Sequence, residues 1–169
     1  MTDIILFREE QRFKQWWLWL LIYGLAAIMW WSFIQQIIFG RPWGSNAGPD
    51  WLVWLFWLLF GLGLPALFHF IKLVIEVRPN QVVINYWPFV KRSIAAADID
   101  HVQARTYNPI REYGGWGIKG WSRRRIAYNV SGNQGVELTL RDGRSVMLGS
   151  QQAEQLALAI ETEIRRQKP

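Results

Sequence analysis

The sequence predicts a hairpin of two membrane-crossing helices followed by a small α+β or all-β domain, a bent antiparallel sheet or partly open barrel closed by a C-terminal helix. Three observations carry this prediction. Formal charge is missing from two long runs in the N-terminal part; the hydrophobic pattern turns from continuous to alternating at about Leu73; and the two halves differ in composition. Nine of the 12 Trp lie at or before Trp57, whereas 14 of the 19 Lys and Arg lie at or after Arg78. A length of 169 residues suits one domain with an appendage. The 19% of charged residues is low against the roughly 25% of soluble domains.

The first run, between Lys14 and Arg41, has 26 positions without charge, and the second, between Asp50 and Lys72, has 21. About 20 apolar residues at about 1.5 Å rise each cross a hydrocarbon core. The link Arg41 to Pro49 holds two Pro, two Gly, a Ser and an Asn, the composition of a short turn, so the helices form an antiparallel hairpin. Residues 1–14 are then a charged N-terminal segment, with no small-residue cleavage site after it. Residues 15–72 are the hairpin, with crossings at about 15–39 and 51–71, and residues 73–169 are the second domain. Arg8, Arg12 and Lys14 precede the first crossing, Arg41 stands alone in the link and a basic domain follows the second, so both termini are expected in the cytoplasm.

Trp16, Trp17 and Trp19 at one end and Trp43 and Trp51 at the other fit interfacial belts. Trp30, Trp31, Trp54 and Trp57 fall deeper, where an unpaired indole N–H is costly, so they are expected to face each other or another membrane protein. The small residues Gly24, Ala27, Gly61 and Gly63 are expected where the two backbones approach, and Pro65 is expected to kink the second helix by leaving the Gly61 carbonyl without a donor. His69 and Lys72 border the apolar interior. His69 has no companion ligand on either helix, and Lys72 can snorkel to the headgroups.

Beyond Leu73, the runs LVIEV and VVINYW flank Pro79-Asn80. Further strands are expected at Val90–Ile94, Asp98–Tyr107 and Arg125–Val130. Asp142-Gly143 between VELTL and SVMLG marks a hairpin. Ala153, Leu156, Ala157, Ile160 and Ile164 make one apolar helical stripe, with Ser150 as N-cap. This amounts to six or seven short antiparallel strands and a closing helix.

The order of these parts, with YWPF (Tyr86 to Phe89), YNP (Tyr107 to Pro109), REYGGWGIKG (Arg111 to Gly120) and the Asp142-Gly143 turn, resembles bacterial membrane proteins that carry a PH-like domain after two membrane helices. The resemblance implies a PH-type barrel on a membrane hairpin. It supplies no catalytic residues and no phosphoinositide specificity.

Little in the sequence points to chemistry. There is no Cys and there are only two His, so thiol catalysis, Cys-ligated zinc and iron–sulfur clusters are excluded. GWGIKG matches G-x-G-x-x-G but is followed by Ser122-Arg123-Arg124-Arg125 and a strand rather than a helix. Gly114, Gly115 and Gly117 are instead expected to permit positive φ in an irregular loop from Gly114 to Trp121 that Trp116 anchors. Neither Asp98/Asp100 nor Glu161/Glu163 has the companions of a metal site or an acid–base pair, and no catalytic residue, metal or cofactor is expected. Lys119, Trp121, Arg123, Arg124 and Arg125 form a basic cluster suited to an anionic leaflet, where each cation gains about 1 kcal/mol. One aromatic in a basic stretch is too little for nucleic acid. The expected role is a non-enzymatic binding or scaffolding module at the membrane surface. Its partners would be the bilayer and another membrane protein or further copies of itself; the alternative is an accessory or assembly subunit of a larger membrane complex.

Overall fold

A computed structural model describes residues 4–42, 44, 48–122 and 124–167, with Trp121 and Ser122 described by backbone alone. The chain divides into two units. Lys14–Phe70 forms one, and the segment ending at Phe13 joins Ile71 onward to form the other.

Two long apolar helices make up the first unit, Trp16–Ile38 with 23 residues and Asp50–Phe70 with 21. The first consists of α1 (Trp16–Phe33) and a π-helical turn, Ile34–Ile38. In the second, α2 (Asp50–Phe56) and α3 (Leu64–Phe70) flank a π-helical stretch, Trp57–Gly63. The two run antiparallel, because the ring of Phe33 packs edge-on against Trp54 at 4.7 Å while Trp19 near the other end meets His69 at 6.3 Å. Gln36 closes the turn end by donating to the Gly48 carbonyl at 2.8 Å and to Asp50 Oδ1 at 2.9 Å.

The contact between these helices differs in part from the expectation. Gly61 is buried, and a Cβ there would meet Trp57 Cδ1 at 3.1 Å and Met29 Cβ at 3.6 Å, so glycine permits the close approach. On α1 the buried positions are Ile22, Ala26 and Phe33, spaced along one helical face. Ala27 falls off that face and is exposed, and Gly24 has open space at its Cβ position, so neither makes the approach expected of it. Proline at 65 has no N–H for the Gly61 carbonyl. That carbonyl accepts from Trp30 Nε1 at 3.3 Å, so an indole of the facing helix replaces the missing backbone donor.

The second unit holds two sheets and a helix. The 4-stranded sheet has the order β1 (Phe7–Arg12), β2 (Lys72–Arg78), β3 (Gln81–Trp87) and β4 (Val90–Ala95). The 5-stranded sheet is made of β5 (Ile99–Thr106), β6 (Gly117–Ser122), β7 (Arg125–Asn129), β8 (Gln134–Leu140) and β9 (Ser145–Gly149), in the order β5-β8-β9-β7-β6. A short helix, α4 (Pro109–Tyr113), follows β5, and α5 (Ala153–Gln167) closes the chain. Leu73, Ile75, Ile84, Leu138, Leu148, Leu156 and Ile160 are fully buried in one core to which both sheets and α5 contribute. The Pro79-Asn80 turn, the Asp142-Gly143 hairpin and the apolar stripe of α5 stand where the sequence placed them.

Three features were not expected. The charged N-terminal segment contains β1, which pairs antiparallel with β2 from Phe7↔Val77 to Arg12↔Lys72. Its alternation is Phe7, Glu9 and Gln11 on one face and Arg8, Glu10 and Arg12 on the other, so no hydrophobic period announces it. The segment Gly114–Trp121 is not wholly a loop, because β6 starts at Gly117 and pairs with β7. Finally, β7 and β9 are parallel, from Arg125↔Ser145 to Tyr128↔Leu148, in a sheet expected to be antiparallel throughout.

Gly61→Leu should separate the apolar helices at the cost of overpacking, about 1–3 kcal/mol. The full-length protein in mild detergent is expected to lose several degrees of thermal midpoint. Gly24→Leu, facing open space, should leave the midpoint within about one degree.

Candidate functional site

The most distinctive stretch of the sequence, Arg111 to Gly117, follows directly from local rules. Asn108 caps α4 by accepting from Arg111 N at 3.0 Å, Pro109 occupies the first helical position and Glu112 Oε1 accepts from Asn108 N at 2.8 Å. Gly114, at φ 80°, ends the helix: Gly114 N donates to the Ile110 carbonyl at 3.0 Å and Gly115 N to the Pro109 carbonyl at 2.9 Å. Gly115 and Gly117 also take positive φ, as expected of the motif. Trp116 is half-buried and donates through Nε1 to the Gly132 carbonyl at 3.0 Å, which makes it the anchor the sequence suggested.

This built turn carries two side chains onto the second sheet. Tyr113 packs with Tyr107, Ala127 and Met147 in a small separate cluster, with the two tyrosine rings 5.9 Å apart and edge-on. Glu112 reaches Arg105 of β5, whose Nη2 stands 2.8 Å from Glu112 Oε2 and whose Nε stands 2.6 Å from Glu137 Oε2. Ser145 Oγ donates to the other Glu137 oxygen at 2.6 Å, and Arg125 Nη2 lies 3.3 Å from Glu112 Oε2. The Arg105 guanidinium holds the Glu112 carboxyl below its ordinary value against the opposing effect of burial. Burial pushes Glu137 up, but the Ser145 hydroxyl and Arg105 outweigh it and the net shift is downward. Burial likewise raises the hydroxyls of Tyr107 and Tyr113, and it pushes Tyr86 up to about 12. Asn129, fully buried, ties these parts together: its Nδ2 donates to Tyr107 OH at 2.9 Å, and its Oδ1 accepts from Gly117 N at 2.8 Å.

Beside Arg105 lies a cleft of about 480 Å³ between edge strand β5 and the start of α5. Gln134, Gln151, Gln152 and Gln155 line it with Thr106 and Glu154. This lining offers several amide donors and acceptors beside the Glu154 carboxylate and Arg105, whose guanidinium is already held by Glu112 and Glu137. Among the described residues no group of three or more His, Asp and Glu stands close enough to hold a metal. The sequence reading missed this cleft. Its only signal was the spacing of Gln151, Gln152 and Gln155 at the head of the last helix, with Gln134 distant in sequence.

The residues singled out beforehand are only partly gathered. Trp30, Trp54 and Trp57 cluster around Phe33, with Phe33 stacked on Trp57 at 4.4 Å and Trp30 edge-on to Trp57 at 5.1 Å. Trp31 is 55% exposed and does not join them. Of the basic group, Lys119 is exposed on β6 and Arg124 lies at the turn into β7. Arg125 is held to Glu112, with its guanidinium 5.2 Å from the Tyr113 ring centroid, so it belongs to the packed side of the hairpin. Arg123 lies outside the described residues, as do Trp43 and the side chain of Trp121.

Over residues 2–165 the sequence matches the family described as "Family of unknown function (DUF6141)", and the chain belongs to it. No curated protein matches the chain.

Glu112 and Glu137 have folded-state values below the ordinary 4.5. Their stabilising contribution is therefore complete above about pH 4.5 and lost as pH falls through the lower folded-state values. The thermal midpoint should decline below pH 4.5. Glu112→Gln should lower the neutral-pH midpoint by a few degrees, about 1 kcal/mol for a pair whose side chains are 21% and 27% exposed, and make the acid decline shallower.

Proposed function

We propose that this family member is a two-helix integral protein of the bacterial cytoplasmic membrane whose β-rich unit, PH-like in architecture, serves as a non-enzymatic binding module on the cytoplasmic side. The observation that carries this reading is the exposure of the two apolar helices, whose most apolar windows are only 17% and 6% buried. Helices of that composition inside a soluble core would be covered; these present Leu20, Leu21, Trp31, Leu58 and Phe70 to their surroundings. A bilayer supplies the missing cover.

The strand register supports a hairpin rather than a cleaved leader. β1 precedes the first apolar helix and pairs with β2, which starts two residues after Phe70, so removal through the first helix would strip an edge strand from the sheet. Because Arg12 is the register partner of Lys72, the chain leaves and re-enters the β unit at neighbouring positions, so the hairpin of two crossings begins and ends on one side. The excess of Lys and Arg in that unit supports the cytoplasmic side. Two sheets around one core with α5 closing it support the PH-like reading. The cleft at β5 and α5 is the surface suited to a polar segment of a protein partner, and the outward-facing Trp31 favours a further contact within the membrane, as an accessory subunit or a self-assembling chain would make.

The chain has no cysteine, so single-cysteine variants read topology cleanly. In sealed inverted vesicles an impermeant maleimide is expected to label Asp142→Cys and spare Gly48→Cys; the reverse pattern, or release of the protein by alkaline carbonate, contradicts the placement. In the same vesicles a photo-crosslinker at Gln155 should give a discrete adduct, either to another protein or to a second copy. Adducts no stronger than those from Arg141 contradict the binding role.

A further inference from the structure

We infer that the turn between β3 and β4, Trp87-Pro88-Phe89, is a third contact of this protein with the lipid bilayer, an aromatic foot seated in the headgroup region beside the two chain crossings. The inference rests on the membrane reading above and adds a lipid-facing element that neither apolar helix contains.

Register places the turn. Arg12 pairs with Lys72 and Lys72 with Trp87, so β1, β2 and β3 end in one row. That row is where the chain passes to the apolar helices, at Trp16 on one side and from Phe70 on the other. Neighbouring strands lie about 5 Å apart, so Trp87 stands about one strand spacing from the backbone at which the chain emerges from its second crossing. The headgroup region is of similar depth, roughly 5–8 Å on each side of the hydrocarbon. β3 runs antiparallel to β2, and β2 leads away from the crossing, so Pro88 and Phe89 project past Lys72 toward the side from which β2 comes.

Composition agrees with position. Trp87 is 45% exposed and Phe89 56%, side by side on a proline turn. The turn at the opposite end of β2 and β3 is Pro79-Asn80, and that between β8 and β9 is Arg141-Asp142-Gly143-Arg144, both without aromatics. Indole and phenyl groups favour the bilayer interface. Lys91 follows the turn on β4, and its long stem lets the ammonium group reach phosphates while the rings lie deeper. The foot is also built to hold its shape. Phe89 N donates to the Tyr86 carbonyl at 2.8 Å, and buried Tyr86 donates through its hydroxyl to the Asn129 carbonyl at 3.3 Å. A turn fixed from beneath loses little freedom on entering lipid.

The test uses the full-length chain labelled at single cysteines with an environment-sensitive fluorophore: Phe89→Cys at the foot, Pro79→Cys at the far turn roughly 20 Å away along β2, and Leu58→Cys within the second apolar helix. Each is reconstituted into vesicles of phosphatidylethanolamine and phosphatidylglycerol containing nitroxide lipids. A headgroup-level nitroxide is expected to quench the probe at 89 at least twofold more than the probe at 79, while a deep nitroxide quenches the probe at 58. Deep quenching at 58 with equal, weak quenching at 89 and 79 overturns the foot and leaves the membrane reading standing. No quenching at 58 overturns the membrane reading and the foot with it.

Discussion

Arg12 and Lys72 face each other across a strand pair although the entire apolar segment separates them in sequence. The antiparallel packing of the two apolar helices brings these ends together, and β1 adds only Phe7 as an apolar inward residue. Polar contacts hold the rest of the strand. Glu9, 7% exposed, accepts from Ser150 Oγ and from Gln151 N at 2.8 Å, and Gln11 Nε2 donates to the Gly149 carbonyl at 2.7 Å. On the outer face Arg8 lies 3.3 Å from Glu76, its register partner, and Lys72 lies 3.7 Å from Glu10. The strand that comes first in the chain is therefore fastened to the turn that opens its last helix. Both ends of the apolar segment are fixed by that fastening, and the proposed topology and the proposed aromatic foot follow from it.

The same contacts serve α5. Ser150 Oγ, while donating to Glu9, accepts from Gln152 N at 2.9 Å, so one hydroxyl joins β1 to the turn before the last helix; Ser150 is not the N-cap expected of it, because α5 starts at Ala153 and its first hydrogen-bonded carbonyl is that of Gln152. Near the other end Glu163, 3% exposed, accepts from Asn80 N at 3.2 Å and from Arg166 at 3.0 Å, pinning the helix to the β2–β3 turn. The two buried carboxylates among the described residues, Glu9 and Glu163, are both met by partners, as burial requires. The apolar helices differ: aromatic rings pack around Phe33 toward the turn end, and much of the aliphatic surface is uncovered.

Legibility in the sequence followed the kind of force involved. Apolar runs, the Asp142-Gly143 turn, the stripe on α5 and the Pro65–Gly61 problem were all readable, since period and turn chemistry are local. β1 was not, because Glu9 and Gln11 occupy the positions where an alternating pattern would show hydrophobic residues, and their partners lie about 140 positions away. β6 was hidden by glycines that suit an irregular loop and a tightly paired strand equally well. Ala26, rather than Gly24 or Ala27, faces the second helix because residue size alone does not fix which side of a uniformly apolar helix turns inward. In the candidate site the Asn108-to-Gly115 turn could have been derived from capping rules, whereas the joining of Arg105 to Glu112 and Glu137, and the cleft beside them, depended on strand order.

The fastening of β1 is measured most directly by hydrogen exchange of the full-length protein in detergent, followed peptide by peptide. Amides of Phe7 to Arg12 should exchange as slowly as those of Leu73 to Val77 and should speed up selectively when Glu9 is replaced by Ala. Exchange of Phe7 to Arg12 at the rate of an unstructured tail, with Leu73 to Val77 still protected, would contradict the account.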